Sequence, residues 1–197
     1  MSAYRNVIIA GFGGQGVMLI GNLLAQAAME YGLNVTFVPA YGVEMRGGTA
    51  NCTVVLDREN IGSPVVQRPL STIILNQPSL DKFQSRLTRD GTQIVNSSLI
   101  DASHVDPEIR SVLVPLNALA AELGNARLLN MIALGAWLHV ADILPLAAAQ
   151  EALNRVISSH YAQLIPANAA ALAMGYACAR EDSINASFET TRKKALP

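Results

Sequence analysis

Cysteine and histidine are scarce in this sequence, with two of the first and three of the second among 197 residues. Cys52 and Cys178 lie far apart and have no Cys or His neighbour at ligand spacing. That excludes a zinc site or an iron–sulfur cluster built from this chain alone, and no disulfide framework is expected. Charge is scarce as well: 15% of residues are charged, against about 25% in an average soluble domain. Much of the surface must therefore be neutral, and part of it suits an interface. The formal net charge of -1 provides no field for a polyanion, so nucleic acid is excluded as the main partner. The N-terminus lacks the charged start, apolar stretch and small-residue cleavage site of a secretory signal, and a cytoplasmic protein is expected. Nor is there a membrane span. The apolar stretch from Leu128 to Ala149 is broken by Asn130, His139, Asp142 and Pro145, well within the ~20 residues a crossing needs. Two buried helices fit it better. No Ser or Cys motif supports His104, His139 or His160 as a catalytic base, and neither paired carboxylates nor a Walker-type loop is present. No catalytic residue is expected in this chain.

What is there is an α/β pattern. Asn6 to Ala10 reads as a strand ending at a glycine cluster, and Val17 to Tyr31 shows apolar residues at helical spacing. Gly32 closes that helix, and Val35 to Val38 reads as a second strand stopped by Pro39. The opening has a βαβ outline. The segment between Ala40 and Thr49 is glycine-rich without periodicity and reads as a shaped loop, followed by a strand at Thr53 to Leu56. Thr72 to Leu75, Gln93 to Val95 and Ser111 to Val114 read as further strands, with an amphipathic stretch from Ser79 to Leu87 after the first of them. Helices are expected at Asn117 to Leu123, Leu128 to Ala141, Leu146 to His160 and Asn168 to Arg180. The fold class is therefore α/β: an open, Rossmann-like, mostly parallel sheet with helices on both faces and a helical C-terminal third. Residues 1–180 form the single domain, and residues 181–197 read as a polar tail, solvated or disordered.

Gly11-Phe12-Gly13-Gly14-Gln15-Gly16 matches G-x-G-x-x-G after an expected strand and at the start of an expected helix. Free N–H groups at that helix start can meet a phosphate or carboxylate, and glycine lets the backbone come close. A nicotinamide or flavin site would add an acid at the end of the second strand, where this chain has Val38-Pro39-Ala40. The alternatives are another phosphate-bearing ligand, or glycines that only permit tight strand–helix packing. Arg46, inside Glu44-Met45-Arg46-Gly47-Gly48-Thr49, either forks onto a carboxylate or phosphate or pairs with Glu44 or another acid. Asn76 and Asn96 close two strands at the edge where open parallel sheets bind ligands. Each is also a ready turn-former.

Five segments together carry a family likeness: Gly11 to Val17, Tyr41 to Cys52, Ile61-Gly62-Ser63-Pro64, Asn76 to Phe83, and Val95-Asn96-Ser97-Ser98. In these the chain resembles the gamma subunit of 2-oxoacid:ferredoxin oxidoreductases, over roughly residues 6 to 180. Through Glu44 to Cys52 it looks more like the 2-oxoglutarate and 2-oxoisovalerate members than the indolepyruvate ones. The resemblance implies a multi-subunit enzyme that converts a 2-oxoacid and coenzyme A into an acyl-CoA, CO₂ and reduced ferredoxin. Thiamine diphosphate and the iron–sulfur clusters are then expected in partner subunits: alpha, beta and a ferredoxin-like delta, with ferredoxin reached through the complex. Lacking them, the isolated chain is expected to be inactive and can pair with a second copy of itself. In the related single-chain pyruvate enzymes the similar domain closes over coenzyme A. Carried over by position, that implies ligand contacts for Gly13, Gly14, Gln15, Asn22, Asn96 and Asn130, and the loop glycines Gly11 and Gly16 with Arg46 complete the candidate cofactor-binding residues. At Asn22 this chain has an amide where those enzymes place a lysine. The competing readings are a stand-alone NAD(P)-dependent oxidoreductase and a purely structural scaffold subunit.

Overall fold

In the computed structural model, residues 4–41 and 49–194 are described. Six strands form one sheet: β1 (Arg5–Phe12), β2 (Asn34–Tyr41), β3 (Thr49–Asp57), β4 (Ser71–Ile74), β5 (Thr92–Asn96) and β6 (Arg110–Val114), in the order β2-β3-β1-β4-β5-β6. The pairs β1–β4, β4–β5 and β5–β6 are parallel, whereas β3 runs antiparallel between β1 and β2. The expected mostly parallel sheet with helices on both faces is thus present. The βαβ outline of the opening needs one amendment, because α1 (Val17–Glu30) carries the chain past the place beside β1 that β3 later fills.

β2 also runs on through Pro39 to Tyr41, where the sequence reading stopped it at Val38. Proline cannot donate to a ladder, but β2 is an edge strand paired on one side only, and proline is tolerated there. The shaped loop expected between Ala40 and Thr49 falls largely on residues 42–48, which lie outside the described residues, as does Arg46 within it.

Period-two alternation divides the strands between two cores. Val7, Ile9, Val54, Ile73 and Ile94 face one side, together with α1 and four more helices: α3 (Leu116–Glu122), α4 (Leu129–Ala141), α5 (Leu146–Val156) and α6 (Ile165–Lys194). Ile8, Ala10, Ile74 and Val95 face the other, where α2 (Gln77–Phe83) supplies Leu80 and Phe83. Each fully buried aliphatic side chain contributes about 1.5–3 kcal/mol, and the first core is far the larger.

α4 is the centre of that core. Eleven of its thirteen residues are buried, which is why it shows no polar stripe. It crosses α6 at two glycines, since a Cβ on Gly135 would strike the Leu172 carbonyl and one on Gly175 the Ile132 carbonyl. α6 continues as helix to Lys194, past the Arg180 at which the sequence reading ended it and into the stretch read as a tail.

Candidate functional site

The glycine turn joins β1 to α1 at the carboxyl end of the parallel strands. Gly14 (φ 98°) and Gly16 (φ 78°) both take left-handed backbone conformations that L side chains rarely adopt. They differ in their surroundings. A Cβ on Gly14 would meet nothing within 4 Å, whereas one on Gly16 would overlap the Asn130 amide. Gly16 is the N-cap of α1, no side chain caps the helix, and its first turn carries no acid. The N–H groups of that turn have no intrahelical partner, so positive potential and backbone donors remain for an anion.

The side chain of Gln15 folds back to brace the turn. Its Oε1 accepts from the Phe12 N–H at 2.7 Å and from Asn76 Nδ2 at 3.1 Å. Gly11 leaves room for this, as a Cβ there would lie 2.7 Å from Gln15 Oε1 and 3.1 Å from Leu75 Cβ. Asn76 is 2% exposed and works in two directions: its Oδ1 caps α2 by accepting from the Ser79 N–H at 3.0 Å, and its amide reaches Gln15. The turn-forming reading of Asn76 therefore holds, and the same side chain braces the glycine turn.

Asn130 opens α4 on the opposite flank. Its Nδ2 donates to the Gly16 carbonyl at 3.5 Å and its Oδ1 accepts from the Met131 N–H at 2.7 Å. Asn96 closes β5 and is fully buried. Both of its amide hydrogens are used, on the Leu75 carbonyl (3.2 Å) and on Asn117 Oδ1 (2.9 Å), and its Oδ1 accepts from the Ser98 N–H at 3.2 Å. The more exposed member of this pair is Asn117, half-buried at the start of α3 and held also by its N–H on Ser98 Oγ at 3.2 Å.

The structure thus brings Gly11 to Gly16, Gln15, Asn76 and Asn130 into one hydrogen-bonded group, with Asn96 joined to it through the Leu75 backbone, whose N–H donates to Ala10. Asn22 is exposed on α1, away from these bonds. Sequence reasoning missed Asn117. The available signal was its place just beyond a strand end, the placement that singled out Asn76 and Asn96.

Two chemistries fit poorly. Cys52 lies beneath the helix start with Sγ 3.6 Å from the Val17 carbonyl, and burial pushes its thiol up to about 12, so it is no nucleophile. For a nicotinamide site, the strand that should carry the ribose-binding acid is separated from β1 by β3, or two strand spacings, roughly 9–10 Å. Among the described residues no three His, Cys, Asp or Glu side chains gather to hold a metal ion, and no helix is long and apolar enough to cross a membrane.

Fold and site together define an α/β domain that presents a glycine turn and an amide cluster at the carboxyl edge of its sheet. Residues 6–178 match the pyruvate ferredoxin/flavodoxin oxidoreductase family, and the chain belongs to it. The likeness read from the sequence motifs is borne out. The chain is 44% identical over 129 residues to the ketoisovalerate oxidoreductase subunit VorA of Methanothermobacter thermautotrophicus, covering 66% of this chain and 27% of that protein. It is 33% identical over 157 residues to the 2-oxoglutarate synthase subunit KorC of the same organism, covering 76% and 83%. The chain thus spans about a quarter of the length of its ketoisovalerate relatives and most of the 2-oxoglutarate ones. Among solved structures, the keto/oxoacid ferredoxin oxidoreductase gamma subunit of Geobacter sulfurreducens superposes with a TM-score of 0.79 at 23% identity, covering 90% of this chain and 97% of that one. The 2-oxoglutarate:ferredoxin oxidoreductase of Magnetococcus marinus, with 2-oxoglutarate, coenzyme A and succinyl-CoA bound, gives 0.82 at 20%, covering 90% and 31%. At these identities the likeness is one of fold.

Proposed function

We propose that this chain is the gamma subunit of a 2-oxoacid:ferredoxin oxidoreductase and completes the coenzyme A cleft of that complex. The carrying observation is the uncapped start of α1, opened by Gly14 and Gly16 and flanked by the amides of Gln15, Asn76 and Asn130, with Asn117 farther along the same sheet edge beyond Asn96. Coenzyme A pairs a pyrophosphate with an amide-bearing arm. The backbone donors of the turn suit the first and the side-chain amides the second. Asn96 serves this site from behind, one amide hydrogen holding Asn117 and the other the Leu75 carbonyl. Coenzyme A supplies the thiol that receives the acyl group; this chain supplies binding and orientation, and no catalytic residue.

Thiamine diphosphate and the iron–sulfur clusters belong to alpha, beta and delta partners on this reading, and electrons leave through ferredoxin. Native affinity purification from the host tests the assembly. A thiamine-diphosphate-binding subunit and a ferredoxin-like subunit are expected to remain bound through a moderate salt wash. Recovery of the chain alone, with those partners expressed, would sink the reading. In the recovered complex, Asn117→Ala is expected to raise the KM for coenzyme A by about tenfold with little change in kcat.

A further inference from the structure

A second recess lies at the other end of the sheet, where β1, β4, β5 and β6 begin and α4 ends. It is a cavity of ≈ 290 Å³. Trp137 and Ile94, each 1% exposed, form its apolar lining with Leu70, and Arg5, Arg110 and Asp90 bring charge to it. The three charges are not equivalent. Arg5 is committed to the fold, donating from Nε to the Ala141 carbonyl at 3.1 Å, where the last turn of α4 collects partial negative charge, and from an η nitrogen to the Tyr4 carbonyl at 3.0 Å. Arg110 opens β6 opposite Thr92, and Asp90 precedes the Gly91-Thr92 step into β5. Both are exposed, and among the described residues neither forms an ion pair with the other or with a neighbour. One recess is thus lined by two uncommitted charges of opposite sign, by the apolar side chains of Leu70, Val140 and Ala141 with the edges of Trp137 and Ile94, and by the hydroxyls of Ser71 and Thr92.

We propose that this recess binds a small zwitterion with an apolar tail, the chemistry of a free α-amino acid with a hydrocarbon side chain. The Arg110 guanidinium takes the carboxylate, Asp90 takes the ammonium, and the hydrocarbon rests against Trp137, Ile94 and Leu70. A dianion would be opposed by Asp90, and a bare hydrocarbon would leave both charges unused. The volume is at the lower end of small-molecule pockets, too small for a nucleotide. The site stands apart from the glycine turn, so it neither requires nor supports the coenzyme A reading.

Trp137 is the single tryptophan of the chain, so its emission reports on this cavity directly. Titrating L-leucine into the purified full chain is expected to change that emission saturably, with a midpoint of about 1 mM. The carboxylate 4-methylpentanoate and the amine 3-methylbutylamine each keep the hydrocarbon and one charge, and each is expected to bind about tenfold more weakly. Arg110→Gln and Asp90→Asn should each weaken leucine by a similar factor at an unchanged melting temperature. A flat response in both emission and calorimetry up to about 50 mM leucine overturns the proposal. So does equal binding of the carboxylate alone, or unchanged leucine affinity in both variants.

Discussion

Two pairs of glycines, one at the turn that starts a helix and the other inside two crossing helices, do opposite things with the same missing side chain. Gly14 and Gly16 keep the backbone of the turn in left-handed conformations that leave its donors uncovered. Gly135 and Gly175 let two helix backbones touch and bury what they carry. The first pair gives up local stability for access to a ligand; the second gives up access for packing. A glycine in this sequence therefore has no single meaning until its φ and its neighbours are known.

Substitution separates the two uses. The largest effect is expected at the helix crossing, where the atoms in the way are backbone carbonyls that cannot rotate aside. Gly135→Ala and Gly175→Ala should each cost about 3 kcal/mol, read as a fall in the urea midpoint, with the KM for coenzyme A of the surviving complex unchanged. At the turn, Gly16→Ala adds the displacement of the Asn130 amide to backbone strain, and about 2 kcal/mol is expected, accompanied by weaker coenzyme A binding. Gly14→Ala meets open space, so only the strain is left, about 1 kcal/mol. Equal costs at Gly14 and Gly16 would show that the Asn130 contact contributes nothing.

The Cys52 thiol beneath the start of α1 provides a separate test by pH. The Cys52 thiol is raised from an ordinary value of 9.0 to about 12 by burial. The folded state therefore holds this proton more tightly than the unfolded chain. Its contribution is fully present below pH 9 and lost as pH rises toward 12, at about 1.4 kcal/mol per pH unit from this group. Denaturation at pH 8, 9 and 10 should show that slope removed in Cys52→Ala. The smallest effect is expected for Asn76→Ser, which keeps a side-chain oxygen to cap α2 but removes the donor to Gln15. Stability should fall by about 0.5 kcal/mol, while coenzyme A binding weakens because the brace on the turn is lost. Unchanged binding would assign Asn76 to capping alone.

The strand–turn–helix around Gly11 to Gly16 was legible because apolar alternation, glycine spacing and helical periodicity all point the same way there. The other strands were located for the same reason. Pro39 misled, because a local rule about donors says nothing about whether a strand lies at an edge. The insertion of β3 was hidden too, since it is a matter of pairing between segments and not of any one segment's composition. At the site, the strand-end asparagines could be found by position, but position did not distinguish Asn96, with every hydrogen spent, from Asn117, which it holds. Only three-dimensional hydrogen-bond accounting makes that distinction.

Pro39 has one further consequence. An eight-residue edge strand such as β2 is a template on which another chain could extend the sheet, the first step toward filaments. Proline withholds one of the donors that such an added strand would need. In a protein with so little charge to keep copies apart, that missing donor makes an added strand less favourable at the edge.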